Sequence, residues 1–422
     1  YKASLEINPN DAEVLLNYGN ALENYGDFDQ AIDVYAKTLK VDPISKAAKT
    51  NMDNAVEVKA EIDKDIGDYA RIATLEIGSV ELLSFTGSLL KGKGYWDAAV
   101  DSYNKALKIK PDYADAHVNK SLVLLRNEEF RFGWSAYEWR WKQETVNRGP
   151  LQSTKPTWNL SKVGKVLLWG EQGIGDEVMF ASLIPDIHAL CSKLIVKIDK
   201  RLIPLFRRSF PDDIEFWARN EIVPEIEYDT HIPMGSLPQY FRQNVESFKS
   251  TSEGWLSACD LKSNDLREKL LSDGSETLIG ISWHSTRPRE GAESKVISLS
   301  QLAKKLNGPK VKLVSLQYGD VNTELTKLKE ETNIDVLQVH EIDNMKDIDG
   351  LSSLIMACDR VVSISNATIH LAGALGKKSD ALIAFSSDWR WGNERDRGYW
   401  YDSVRLCRQT EYNNWNTSIA QL

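Results

Sequence analysis

Beyond residue 162 the apolar positions of this chain gather in short runs, each followed by a turn and then an amphipathic stretch. Lys165-Val-Leu-Leu-Trp169 is the first run, followed by Gly170-Glu-Gln-Gly-Ile-Gly-Asp176 and an amphipathic segment from Glu177 to Leu190. Buried strand, glycine turn and helix in that order are the opening of a mononucleotide-binding half. Leu194–Ile198 and Ile214–Trp217 read as the next strands, with an edge strand and loop over Asp229–Leu237. A second series opens at Leu278–Trp283. It runs through a helix at 299–306, a strand at Val311–Leu316, a helix at 323–332 and a strand at Ile334–Val339. A helix at 351–357, the strand Arg360–Ile364, a helix after Asn366 and a closing strand at Ala381–Phe385 complete it. Two batches of alternating strands and helices, with a break near 258–277, predict two Rossmann-like domains facing across a cleft.

The first third of the chain follows a different rule. Tyr35, Tyr69, Tyr103 and Tyr137 are spaced by 34 residues, and Gly19/Gly87, Ala31/Ala99 and Pro43/Pro111 by 68. Thirty-four residues is the tetratricopeptide period, in which antiparallel helix pairs stack on one another. The small residues let the helices of one unit approach closely. The tyrosine is expected to fill the space between units, and proline to close the second helix. The middle unit has Asp53 and Asp65 in place of the small residues; the last has Ser121 and Gly133, then Trp134, Tyr137, Trp139 and Trp141. Tyr1, inside a helical segment ahead of Pro9, suggests an array that starts further upstream. The expected fold is thus α plus α/β: repeats over 1–145, a linker over 146–162, and Rossmann-like domains over 163–272 and 273–422.

Composition narrows the function. At 422 residues and 42% hydrophobic, there is material for two or three cores. A net charge of −9 argues against a nucleic-acid binder, which needs clustered cations. No stretch approaches the ~20 apolar residues of a membrane span. Cys191, Cys259, Cys358 and Cys407 have no paired spacing, so no zinc site or disulfide framework is expected, and a cytoplasmic location fits.

The candidate chemistry clusters at strand ends. Gly173 and Gly175 allow a tight turn with amides open to a ligand, and Asp176 then stands at the mouth of the cleft. There Asp176 either accepts a proton from an acceptor hydroxyl or simply caps the following helix. In Ser365-Asn-Ala-Thr-Ile-His-Leu-Ala-Gly373, a helix starts where a strand ends. The amides of Ala367, Thr368 and Ile369, with the positive helix terminus, offer a phosphate cradle. His370 either reaches a phosphate or sugar or is only packed. Arg287, Arg289 and Lys295 lie in a loop after a strand and can neutralise a diphosphate leaving group, or be a solvated charged loop. Gln317 can read a base or ribose. Asp388, Arg390 and Arg395, among tryptophans, face the cleft or pin a surface turn. His231, in a loop ahead of Pro233, is placed with the acceptor side or with structure. No serine-hydrolase elbow, metal-ligand spacing or Walker motif is present.

Gly173-Ile-Gly-Asp176 with Pro185, the Ile281-Ser-Trp283 strand, Lys295, Ser315-Leu-Gln317 and Asn366–Gly373, in that order, resemble the ADP-heptose:lipopolysaccharide heptosyltransferase-like family. The whole chain is similar to bacterial proteins that join tetratricopeptide repeats to such a GT-B region, the Asp388-Trp-Arg-Trp391 segment included. The resemblance implies an inverting, metal-independent glycosyltransferase that uses a nucleotide-diphosphate sugar as substrate and no cofactor. It assigns the base to Asp176, donor phosphates to Lys295, and the diphosphate to Ala367 and Thr368, with Asn366 on the donor side as a residue that can still cap the helix. Ser365-Asn366-Ala367 stands where the family often has Asp-Thr-Ala, and Trp283-His-Ser-Thr286 lacks the glycine usual after that tryptophan.

Three readings of the whole follow. The repeats recruit a polypeptide whose serine or threonine is glycosylated, a flagellar or surface protein being one such acceptor. Alternatively the acceptor is a lipid-linked or polysaccharide chain and the repeats serve assembly. A third reading is a binding scaffold whose transferase region is inactive.

Overall fold

The computed structural model describes all residues except 26–27, 57–59, 61–63, 65–78, 144–148, 161–163, 249–252, 286–295, 394 and 413. Tyr69 and Asp65 therefore lie outside the described residues. The chain forms two compact units, residues 1–90 with 97–111 and residues 91–96 with 112–422.

In the first unit, α1 (Ala12–Tyr25) pairs with α2 (Phe28–Val41), and α3 (Val80–Gly92) precedes α4 (Trp96–Ile109). The tyrosine ruler is explained here. Tyr35 and Tyr103 fill the space inside a hairpin, and Tyr35 also meets Met52 and Ala55 of the helical stretch that follows. A Cβ on Gly19 would lie 2.4 Å from the Tyr35 ring, and one on Gly87 would lie 2.5 Å from that of Tyr103. Each hydroxyl is anchored within the same hairpin, Tyr35 donating to Asn20 Oδ1 at 2.9 Å and Tyr103 meeting Ser88 Oγ at 3.3 Å. Asn20 also accepts from Asn51 Nδ2, and Tyr35 packs with Ala31, Ala55 and Met52. Asp53 is exposed in the helical stretch 46–56, where it disturbs no core.

The second unit opens with the hairpin α5 (Ala114–Arg126) and α6 (Phe130–Tyr137), extended by a 3-10 turn over Glu138–Lys142. Two parallel sheets follow. The first is four-stranded, in the order β3 (Glu215–Ala218), β2 (Lys193–Ile198), β1 (Lys165–Trp169), β4 (Thr230–Pro233). The second is six-stranded: β10 (Val404–Arg408), β9 (Ser379–Ile383), β8 (Arg360–Ile364), β5 (Thr277–Ser282), β6 (Val311–Ser315), β7 (Val336–Leu337). Successive strand residues feed opposite cores. Val166 and Leu168 join one cluster and Leu167 another; Leu278 and Ile279 divide the same way. Sheets covered on both faces need continuous apolar strands, which is why these runs are legible. Each buried aliphatic side chain stabilises the fold by about 1.5–3 kcal/mol.

The helices of this unit include α7 (Ile174–Phe180) after β1, α8 (Asp260–Leu270), α9 (Leu299–Leu306), α10 (Asn322–Thr332), α11 (Ile348–Ala357) and α12 (Ala367–Ala374) after β8. Several expectations are refined. The amphipathic run expected at 177–190 starts earlier, at Ile174, and breaks into α7, a 3-10 turn and a short helix at Ile184–His188, where Pro185 enters. The break near 258–277 holds α8. The sheet does not close at Ala381–Phe385, because β10 adds a parallel edge strand beyond β9. The segment ahead of β1 is docked on the sheet: Thr157 bridges His231, and buried Trp158 donates its N–H to the His231 carbonyl at 2.8 Å. No described helix is long and apolar enough to cross a membrane.

The tyrosine seat makes a direct prediction. Gly87→Val should overpack the hairpin and lose about 1–3 kcal/mol, read as a lower urea midpoint by circular dichroism. Gly92→Ala, which meets nothing within 4 Å, should leave the midpoint unchanged or slightly higher. Equal midpoints for wild type and Gly87→Val would remove the seat.

Candidate active site

The carboxyl end of β1 turns into α7 through Gly170–Asp176. Gly170 admits no side chain, since a Cβ would stand 1.8 Å from Glu177 Oε1. Glu177 is buried. It accepts the Asp199 N–H at 2.9 Å and pairs with Arg219, which also donates to the Gln172 carbonyl at 2.7 Å. The turn is thereby tied to the ends of β2 and β3. Burial pushes the Glu177 carboxyl up to about 7, even against the pull of Arg219.

Asp176 does not cap the helix. Gly173 is the N-cap, Asp176 is the third helical residue, and its carboxylate makes no cap bond. Its Oδ1 instead accepts from Arg390 of the other lobe, Nε at 3.0 Å and Nη2 at 2.5 Å. The same guanidinium holds Asp388 Oδ1 at 2.7 Å and lies 4.3 Å over the Trp389 ring. Burial works against the Arg390 charge, yet Asp176 and Asp388 together outweigh it and hold the group above its ordinary range.

Across from the turn, Asn366 caps α12. Its Oδ1 accepts the Thr368 N–H at 3.0 Å, and its Nδ2 donates to Ser282 Oγ at 2.8 Å. The expected row of open amides is thus corrected at Thr368, whose N–H is already engaged. The Thr368 hydroxyl is buried and has no hydrogen-bond partner among the described residues. His370 is buried, its Nδ1 2.8 Å from the Tyr401 hydroxyl and its ring stacked 5.1 Å from that of Trp391. That is the packed reading. A Cβ on Gly175 would lie 3.2 Å from His370 Cδ2 and 3.5 Å from Ala367 Cα. Gly173–Asp176 and the start of α12 therefore face each other at contact distance, and a side chain at Gly175 would press on the His370 ring.

Other expected residues are placed elsewhere. Gln317 is buried and fully engaged: Oε1 accepts from Ser282 Oγ, Trp283 N–H and His284 N–H, and Nε2 donates to the carbonyls of His284 and Tyr318. It staples the ends of β5 and β6, with no group left to read a base. His231 lies in β4 rather than in a loop. Its Nδ1 accepts from Trp169 Nε1 at 3.3 Å, and burial holds its pKa below the usual histidine value. Arg395 pairs with Glu128 at 3.6 Å. Arg287, Arg289 and Lys295 lie outside the described residues.

The α5–α6 hairpin and its 3-10 extension, which sequence reasoning did not connect with the site, contact the Gly170–Asp176 turn. Tyr137 accepts from Gln172 Nε2 at 2.5 Å. Arg140 reaches Glu171 at 3.1 Å, Ser236 Oγ at 2.8 Å and Glu138 at 2.6 Å. Burial raises the Glu171 carboxyl above its ordinary range, with Arg140 opposing. Trp134 donates to the Arg242 carbonyl at 2.7 Å and meets Trp389 edge-on at 5.3 Å. One signal for Glu177 was available: a carboxylate directly ahead of Val178-Met-Phe, on the apolar side of its helix. Nothing local marks Arg140 or Arg219.

Fold and site define a class: tetratricopeptide helices followed in sequence by two facing parallel α/β lobes, the arrangement called GT-B. The tetratricopeptide repeat family matches residues 1–33, and a TPR repeat family matches 87–127, so the N-terminal part carries such repeats. The chain is 28% identical over 443 residues to Protein FlbA of Caulobacter vibrioides, a match spanning 100% of this chain and 68% of that protein. Its C-terminal part is similar to the glycosyl transferase family 9 protein of Veillonella parvula, at 11% identity over 58% of this chain and 86% of that one, TM-score 0.42. It is also similar to ADP-heptose lps heptosyltransferase II of E. coli, at 15% identity over 59% and 92%, TM-score 0.42.

The buried Glu177 fixes a pH dependence. Its folded pKa of about 7 lies above the ordinary 4.5, so the folded state binds this proton more tightly. The stability it contributes is full below about 4.5 and is lost as pH rises to about 7. Glu177→Gln should flatten that slope, the wild-type decline exceeding the variant's by on the order of 1–3 kcal/mol. Urea unfolding of both proteins at pH 5 and pH 7 measures it; parallel slopes would contradict the assignment.

Proposed function

We propose that the chain is an inverting glycosyltransferase that moves a sugar from a nucleotide-diphosphate donor to a hydroxyl on an acceptor recruited by the repeats. The proposed acceptor is a protein serine or threonine. One observation carries the reading: the carboxylate that ends one lobe's glycine turn stands against the helix start and arginine that end the other lobe's strands. A single displacement needs such a division, a base on one side and an anion anchor on the other.

In this reading the donor diphosphate lies at the start of α12, where the unpartnered Thr368 hydroxyl, the helix terminus and Arg390 meet its charge. These groups stabilise the leaving nucleotide without calling on a metal. The acceptor oxygen attacks the anomeric carbon as the bond to the phosphate breaks, and Asp176 takes the hydroxyl proton. Asp176 is held by Arg390 before the donor arrives. The donor's phosphate competes for that guanidinium, so donor binding frees the base for the acceptor. Closure of the two lobes keeps water from the activated sugar.

The scaffold reading also has an observation in its favour, since Arg390 engages Asp176 and Asn366 engages the Thr368 amide. Calorimetry against a panel of nucleotide sugars separates the two. The transferase reading expects heat with at least one donor, and a scaffold gives none.

Asp176→Asn should lower transfer by about 10²–10⁴-fold while the heat of donor binding persists, with product followed by intact mass of acceptor protein. Full transfer by Asp176→Asn would defeat the base assignment. Loss of a sugar mass from an envelope glycan rather than a protein, on deletion in the host, would redirect the acceptor.

A further inference from the structure

We propose that the α5–α6 hairpin and its 3-10 extension form a wall of the active site, with Tyr137 and Arg140 as positioning residues for the Gly170–Asp176 turn. The inference rests on the transferase reading for its consequence, but its geometry stands on its own.

The 34-residue ruler supplies the first argument. In the hairpin of α1 and α2 the tyrosine hydroxyl is anchored by Asn20, and in that of α3 and α4 by Ser88, at the same repeat position. The corresponding residue of the last hairpin is Leu122, which offers neither donor nor acceptor. Tyr137 keeps the ruler's place, yet its hydroxyl accepts from Gln172, inside the glycine turn. Its ring lies 6.1 Å from that of Trp389, over which the Arg390 guanidinium rests on its way to Asp176.

Arg140 supplies the second. Its guanidinium is buried between the rings of Tyr137 and Trp141, each centroid 4.6 Å away. The fork joins Glu171 of the turn to Glu138 of the 3-10 extension and to Ser236 beyond β4. Glu171 in turn accepts the Gly235 N–H at 3.2 Å. Residues 171 and 172 are therefore both gripped from the hairpin, immediately ahead of the Gly173 cap that sets where Asp176 points. A planar fork with several donors makes these bonds together, and a lysine point charge does not. Small displacements of a reacting group are expensive in rate, so a turn that loses these braces misplaces Asp176 while leaving the donor anchor on α12 untouched.

The test uses the full chain as Tyr137→Phe, Arg140→Lys and Arg140→Met, with Tyr137→Phe as the variant that keeps ring and packing if Arg140→Met fails to fold. Hydrogen exchange is measured on peptides covering 170–177 and on peptides of β5 to β9. The expected result is exchange at least tenfold faster in the turn, with the second sheet unchanged. Where calorimetry has identified a donor, kcat should fall tenfold or more at unchanged KM for that donor, Arg140→Lys resembling Arg140→Met. Unchanged exchange in the turn, acceleration spread evenly over both sheets, or a rise in KM at constant kcat overturns the assignment. If no donor binds the wild type, the transferase reading fails, and the exchange experiment still decides whether the hairpin holds the turn.

Discussion

One ion pair organises the α/β part of this molecule: Asp176 of the first lobe against Arg390 of the second. Both side chains are mostly buried, and Arg390 also holds a second carboxylate, Asp388. Removing Arg390 would leave Asp176 and Asp388 without their shared cation, whereas removing Asp176 leaves Arg390 on Asp388. The pair ties the helix after β1 to the 3-10 turn after β9. Gly175 lies at that contact too, where an added Cβ would stand 3.2 Å from His370 Cδ2 and 3.5 Å from Ala367 Cα.

Around that contact, several buried polar side chains brace the turn and the helix start. Glu177 ties the turn to β2 and β3, Asn366 ties α12 to β5, and Arg140 ties the turn to the last helical hairpin. Aromatic rings fill what remains, with Trp389 wedged among Trp134, Tyr137 and Arg390. The Thr368 hydroxyl lies buried beside the contact without a partner among the described residues, as do Arg140 Nε and Arg219 Nε. A buried hydroxyl left unpaired is costly, and a bound phosphate oxygen would relieve it.

Much of this architecture was legible in the chain and some was not, for identifiable reasons. Strands β1, β2, β5, β6 and β8 announce themselves because sheets covered on both faces demand unbroken apolar runs. Strand β10 hides because Arg405 and Arg408 interrupt it, Arg405 answering Asp380 of β9 at the sheet's edge. The start of α12 was legible from Asn366, but not the engagement of the Thr368 amide that the same asparagine brings. The capping alternative for Asp176 fails, since the N-cap is Gly173, three residues ahead of the carboxylate. Gln317 read as a ligand group because its strand-end position fits one; its partners come from another strand and leave no local trace. Tyr137 was visible as a mark on the ruler, while its turn toward Gln172 depends on a leucine fifteen positions back.

The most direct measurement is a crystal structure of the full chain soaked with a nucleotide diphosphate. The diphosphate should lie between the start of α12 and Arg390, with an oxygen within hydrogen-bond distance of Thr368 Oγ1 and the guanidinium turned from Asp176 toward it. A nucleotide bound on another surface, with the Asp176–Arg390 pair intact and the Thr368 hydroxyl still unpartnered, would contradict a shared donor and acceptor crevice between these lobes.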